Sequence, residues 1–304
     1  MKNEFYFDGA DGITKIHVIE WVPEGSPKAV LQMAHGMTEH IEKYDVFAQY
    51  MASKGIYVVG NDHLGHGKSI IHPGRLGYFA EHDGMGCLIS DLHTIRKMTE
   101  EKYPDIPYFV LGHSMGSFLM RQYIMRYGKG LAGAVIIGTA RQPGIVLAFG
   151  KMICAVCGTL TSWRHHSPFM NNLSFGKYNS HFKPNRTDFD WLSNNRESID
   201  KYLNDPLCGY VFTYNGFLNL FRSIEYIQKK KNIDNIPAEL PILLMSGEDD
   251  AVGDFGKGVK AVCDTLVKRG KQAVMKLYPG MRHELLNEPD CINTYNDILD
   301  WMKI

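Results

Sequence analysis

The sharpest chemical signal is Gly112-His-Ser114-Met-Gly116, set between an apolar run at Tyr108–Leu111 and a helical segment from Met115. A serine flanked two residues either side by glycine can project from a tight strand-to-helix turn and act as a nucleophile. A serine hydroxyl needs a base to take its proton and a carboxylate to orient that base. On such a sheet the acid and then the histidine follow the serine along the chain. Gly247-Glu-Asp-Asp250 follows the strand-like run Pro241–Ser246, and Pro279-Gly-Met-Arg-His283 follows Val274–Tyr278. Glu248, Asp249 and Asp250 all offer a carboxylate there, with Asp254 as a further candidate or a support; Asp250 is the favoured one. Two backbone donors should meet the tetrahedral oxyanion. Met115, directly after the serine, provides one, and Met37 in His35-Gly36-Met37 provides the other, with Gly36 allowing close approach.

Other reactive residues carry weaker patterns. His63-x-x-His66 lacks the helical His-Glu-x-x-His context of a zinc site, and the single Cys154-x-x-Cys157 lies among apolar neighbours. Neither points to a metal, and no cofactor is expected. Six cysteines scattered through a chain without an apolar leader fit reduced thiols in a cytoplasmic protein. The 33 basic and 33 acidic side chains balance. That balance removes the electrostatic reason to expect nucleic acid as a partner. The substrate must instead be chosen by a local site.

The elements that would hold these residues form an α/β pattern. Ala29–Ala34, Ile56–Asn61, Tyr108–Leu111 and Ala134–Ile137 are compact apolar runs, as expected of strands buried on both faces. Met85, Leu88, Ile89, Leu92 and Ile95 recur at helical spacing between them. This cadence predicts a mostly parallel sheet with helices on both faces. From 141 to 235 the strand rhythm stops, so a single domain (1–304) is expected, with a core of 1–140 and 236–304 and a helical insertion of 141–235. The last helix is expected to follow Asn287-Glu-Pro, with the proline in its first turn.

With these motifs the chain resembles the α/β-hydrolase superfamily, and within it the monoacylglycerol lipase and lysophospholipase-like serine hydrolases. His35-Gly36-Met37-Thr-Glu39-His40, then Tyr44, is similar to that family's oxyanion loop. Asn61-Asp62-His-Leu-Gly65-His66-Gly67-Lys-Ser69 resembles a turn that packs under its site. Arg186–Ser193 and Asp205-Pro-Leu-Cys-Gly209 resemble its cap segments. The resemblance implies the α/β-hydrolase fold, Ser114, Asp250 and His283 as catalytic residues, and Met37 and Met115 as oxyanion donors. It also implies a head-group site at Glu39, Lys43 and Leu286. The chain departs at the last two. Lys43 stands where the family has an arginine, and keeps charge but not the planar fork. Leu286 stands where the family has a second histidine.

The insertion would then be a cap. Ile145–Phe149 and Met152–Val156 make a helix apolar nearly all round, which must be buried, dimerised or laid against lipid. Burial under the cap is the expected outcome and a lipid-facing lid the alternative. Any transient membrane contact, and any peripheral membrane location, would fall to this helix. The expected activity is hydrolysis of a hydrophobic acyl ester (lysophospholipid, monoacylglycerol or a related ester) through an acyl-enzyme. The rivals are an amidase or aminopeptidase, which would need carboxylates such as Asp188, Asp190 and Glu197 for the substrate amine, and a non-catalytic ligand-binding homologue.

Overall fold

The computed structural model describes residues 1–304. Eight strands form one sheet: β1 (Lys2–Asp8), β2 (Lys15–Trp21), β3 (Ala29–Ala34), β4 (Ile56–Asn61), β5 (Tyr108–His113), β6 (Gly133–Ile137), β7 (Ile242–Gly247) and β8 (Ala273–Tyr278). Their order is β1-β2-β4-β3-β5-β6-β7-β8. β1 and β2 form an antiparallel hairpin, and β2 runs antiparallel to β4. Every later pairing is parallel. β3 to β7 bury every residue, as a sheet covered on both faces requires. β8, at the edge, alternates instead. The N-terminal hairpin was not anticipated from the sequence. Its signal lies in Phe5 and Phe7, one strand period apart, which pack against the core while Tyr6 faces out.

The helices are α1 (Asp45–Ser53), α2 (Gly84–Lys102), α3 (Met115–Tyr127), α4 (Gly144–Leu160), α5 (Pro168–Phe175), α6 (Arg196–Asn204), α7 (Tyr214–Gln228), α8 (Lys230–Ile233), α9 (Lys257–Lys268) and α10 (Cys291–Met302). Alternate residues of each strand feed opposite faces. Val110, Ala134 and Leu244 join a cluster with Leu88, Ile89 and Leu92 of α2 and Leu119 of α3. Phe109, Leu111 and Met245 join a second cluster with Phe47 and Met51 of α1 and Ile298 of α10. The first cluster continues through Leu147, Cys154, Met170 and Phe217 into the segment between β6 and β7, which contains only helices and loops. That segment therefore shares one apolar core with the sheet.

Two local expectations need correction. α10 starts at Cys291, so Pro289 lies before the helix and a 3₁₀ turn at Leu285–Asn287 takes its place. The expected burial of the apolar helix, α4, is also not what is found. Leu147, Gly150, Cys154 and Gly158 form its only buried stripe. Ile145, Val146, Phe149, Met152, Val156 and Leu160 are more than half exposed. The helix packs along α7, and one neighbour can cover only one side of a helix that is apolar all round.

Candidate active site

Parallel strands place their carboxyl ends on one edge of the sheet, and the loops after β3, β5, β7 and β8 converge there. Ser114 follows β5 with φ 52° and ψ −119°, a left-handed turn that is strained for a residue with a Cβ. Its N–H donates to the Ile137 carbonyl at 2.9 Å. The flanking glycines are required by contact: a Cβ on Gly112 would lie 2.2 Å from the Gly116 oxygen, and one on Gly116 would lie 2.0 Å from the Ala34 oxygen.

His283 Nδ1 donates to Asp250 Oδ1 at 2.9 Å, with both side chains buried. The carboxylate also accepts from Ser246 Oγ and the Val252 N–H, each at 2.9 Å. Burial pushes the Asp250 carboxyl up, but the charge and hydrogen bond of His283, with Ser246 and Val252, outweigh it and hold the group below its usual range. Glu248, Asp249 and Asp254 are exposed. Among these acids the structure brings only Asp250 to the histidine. The other imidazole nitrogen, His283 Nε2, is buried without a partner, and Trp191 packs 5.4 Å from the ring centroid. No group of the protein accepts from the Met37 or Met115 N–H.

Ser114, His283, Met37 and Met115 all line one cavity of about 1010 Å³, in which 22 of 39 lining residues are hydrophobic. Its apolar walls come from α4, α5 and α7 through residues such as Phe149, Leu173 and Phe221. Its polar wall carries Glu39 and Glu284. Behind them Lys43 donates to both carboxylates. Burial disfavours the ammonium, but Glu284 and Glu39 overcome it and push Lys43 up. Burial likewise opposes ionisation of Glu39, and the Lys43 and His113 charges hold its carboxyl well below the usual range. His113 Nε2 donates to the His283 carbonyl at 3.1 Å, and its Nδ1 meets the Tyr44 hydroxyl, which donates to Glu39. A hydrogen-bonded chain thus links the polar wall to the backbone of His283. Glu284 and His113 escaped the sequence reading because nothing in their spacing distinguishes them from neighbours of a motif.

Leu286 lies elsewhere. It is 2% exposed in the cluster under the sheet, its carbonyl accepts from Tyr295, and it does not line the cavity. A leucine cannot satisfy a polar wall, so it packs with the core. Of the acids an amine-binding site would need, Asp190 accepts from the Arg186 and Thr187 N–H groups, and Glu197 pairs with Lys201 on the surface. Only Asp188 lines the cavity, so these three do not converge. His35, His63 and His66 pack against one another in the core, at the ends of β3 and β4, with their rings tilted or edge-on. Burial pushes His63 down to about 3 and His66 down to about 4, so both imidazoles are neutral at pH 7.

The sheet, the strained Ser114 turn and the loops at its carboxyl edge define an α/β-hydrolase. The sequence model of the family described as "Serine aminopeptidase, S33" matches residues 25–290. The chain belongs to that family and is a serine hydrolase. It is 26% identical over 308 residues to a monoacylglycerol lipase of Mycolicibacterium smegmatis, covering 99% of this chain and 97% of the relative. It is 26% identical over 297 residues to the monoglyceride lipase of Rattus norvegicus, covering 93% and 85% respectively. Among solved structures, a thermostable carboxyl esterase from Bacillus coagulans superposes with a TM-score of 0.93 at 27% identity, covering 99% of this chain and 98% of that one.

Proposed function

We propose that this protein hydrolyses carboxylic esters of hydrophobic acids through an acyl-enzyme, with monoacylglycerols as the leading substrate class. Ser114 Oγ attacks the ester carbonyl while His283 Nε2 takes its proton. Asp250 keeps the imidazole in the right tautomer and stabilises the imidazolium. The Met37 and Met115 N–H groups bind the oxyanion, each contributing about 2.7–4 kcal/mol. His283 then returns the proton to the departing alcohol, and water attacks the acyl-enzyme with the same histidine as base.

The observation that carries this reading is the cavity itself, which sets an apolar chamber beside Ser114 and a carboxylate wall next to it. Acyl chains gain from burial in such a chamber. Two carboxylates backed by one ammonium accept hydrogen bonds from neutral hydroxyls and disfavour a phosphate, which ranks monoacylglycerols above lysophospholipids. The lipases and esterases among its relatives support ester chemistry. The uncongregated acids Asp188, Asp190 and Glu197 leave the aminopeptidase reading weaker. Rates across acyl esters from C2 to C16, repeated with monoacylglycerol and lysophospholipid, test the assignment. A long-chain optimum and a preference for monoacylglycerol are expected. A sharp C2–C4 optimum would exclude the acyl-chamber reading, and loss-free turnover in S114A would exclude the nucleophile.

The exposed apolar side of α4 supports a second element of this proposal, transient contact with a lipid surface. Ile145, Val146 and Phe149 are both exposed and part of the cavity wall, so a lipid seated on this helix would meet the cavity mouth directly. No helix is long and apolar enough to cross a membrane. Six unpaired cysteines support a reducing, cytoplasmic setting.

A further inference from the structure

A second cluster of chemically competent side chains lies outside the catalytic machinery. His40, the last residue of the His35–His40 loop, directs Nε2 to Asp205 Oδ2 at 2.8 Å. Cys208 brings its Sγ to the same place, and the three donor atoms all lie within 4.8 Å of one another. Asp205 is held in position from its own turn, where Oδ1 accepts from the Leu207 N–H at 2.8 Å and its carbonyl accepts from the Cys208 N–H at 3.0 Å. That leaves Oδ2 facing the histidine. Cys208 Sγ makes no hydrogen bond with the rest of the protein, although the residue is half-buried.

We infer that His40, Asp205 and Cys208 form a binding site for a borderline-soft divalent cation of the Zn²⁺ class. The donor set, one imidazole nitrogen, one carboxylate oxygen and one thiolate, is the N/O/S mixture that Zn²⁺ prefers over Mg²⁺ or Ca²⁺. Bond lengths of about 2.0–2.3 Å in a tetrahedron place ligand atoms about 3.3–3.6 Å apart. To reach that spacing the His40–Asp205 pair, now at 2.8 Å, opens by about half an ångström, and pairs as far apart as 4.8 Å close by about an ångström, within the reach of side-chain rotation. All three residues are partly accessible, so an ion can enter and a water can complete the fourth position. On binding, the Cys208 thiol loses its proton to solvent, the His40 proton shifts from Nε2 to Nδ1 by exchange with solvent, and the freed thiolate and imidazole lone pairs form bonds to the metal beside Asp205 Oδ2.

The placement gives the site a consequence. His40 belongs to the segment that carries Met37 and Glu39, whereas Asp205 and Cys208 belong to the helical segment between β6 and β7. Gly209, the next residue, already donates to the Thr38 carbonyl at 3.0 Å across this seam. A bound ion would tie the two segments together one residue away from the cavity wall at Glu39 and Gly209.

The test is a titration of the full chain with Co²⁺, which reports thiolate ligation by a near-ultraviolet charge-transfer band and tetrahedral geometry by visible bands. A one-to-one thiolate band, displaced by Zn²⁺, is expected, together with a rise in thermal midpoint of about 3–8 °C in saturating Zn²⁺. C208S and H40Q should lose the band, while a C154S/C157S double variant should keep it. Should a variant fail to fold, iodoacetamide mapping of the native protein decides. Zn²⁺ should shield Cys208 and leave the other five cysteines as reactive as before. Absence of a thiolate band, its survival in C208S, or alkylation of Cys208 unaffected by Zn²⁺ would overturn the proposal. None of these readouts depends on ester hydrolysis.

Discussion

The Lys43 ammonium is clamped between two carboxylates, donating to Glu39 at 2.8 Å and to Glu284, 241 residues further along the chain. All three side chains are close to fully buried. The trio joins the segment after β3 to the segment that carries His283, so the polar wall of the cavity and the position of His283 depend on one ammonium and its two ion pairs.

K43M should therefore destabilise the fold by about 3–5 kcal/mol, because it leaves Glu284 buried without its ion-pair partner and Glu39 with His113 alone. Chemical unfolding monitored by circular dichroism measures this. K43R should recover most of the loss, and an unchanged midpoint in K43M would show that the clamp adds nothing.

The acid of the proposed triad can be separated from its neighbours. D250N should lower kcat on a p-nitrophenyl ester by about 10³–10⁴-fold by holding His283 in the wrong tautomer. D254N, altering an exposed residue, should stay within about threefold of the wild type. Comparable losses in the two variants would contradict the assignment.

Glu288 ties the loop that carries His283, the proposed base, to the segment at Asn194. It is buried, and its carboxylate accepts from the Arg282 N–H at 2.7 Å and the Asn194 N–H at 2.9 Å. E288A leaves both donors unpaired at a cost of about 1–3 kcal/mol each. It should lower kcat more than it raises KM, and E288Q, which keeps an acceptor, should restore much of the rate. A rise in KM alone would place the effect on substrate binding instead.

Asp91 on α2 gives a pH signature away from the site. It is 1% exposed, Oδ1 accepts from the Ala10 N–H, and Oδ2 has no partner. Burial pushes its carboxyl up to about 7. The folded state thus holds the proton more tightly than the unfolded chain does. Its contribution to stability is full below about pH 4 and is lost as pH rises from there to about 7. D91N should remove that slope and raise stability at pH 8 by on the order of 3 kcal/mol. Parallel stability–pH curves for the two proteins would refute this.

Contact with lipid predicts a split between substrates. Met152 and Val156 are exposed on α4 and lie outside the cavity lining. M152K/V156K should hydrolyse a soluble short-chain ester at the wild-type rate, and monoacylglycerol in vesicles at least about tenfold more slowly. Equal rates on both substrates would end the lipid-docking reading.

Local chemistry carried much of this protein in its sequence. The apolar runs that became β3 to β7 can be read because a strand buried on both faces has no polar position to blur it. The Ser114 turn can be read because only glycine fits at Gly112 and Gly116, where a Cβ would lie about 2 Å from a backbone oxygen. The N-terminal hairpin carries a weaker signal, because β1 is a seven-residue, largely exposed edge strand. What the tertiary structure decided are relations between distant segments. Asp250 was chosen over Glu248 and Asp249 by which of three adjacent side chains the strand end turned inward. Glu284 joined the polar wall, and Leu286 left it for the core, because the loop after β8 turns between them. The exposure of α4 was also undetermined by its composition: an apolar helix states that it wants cover, but the number of neighbours able to reach it is set only when the chain folds.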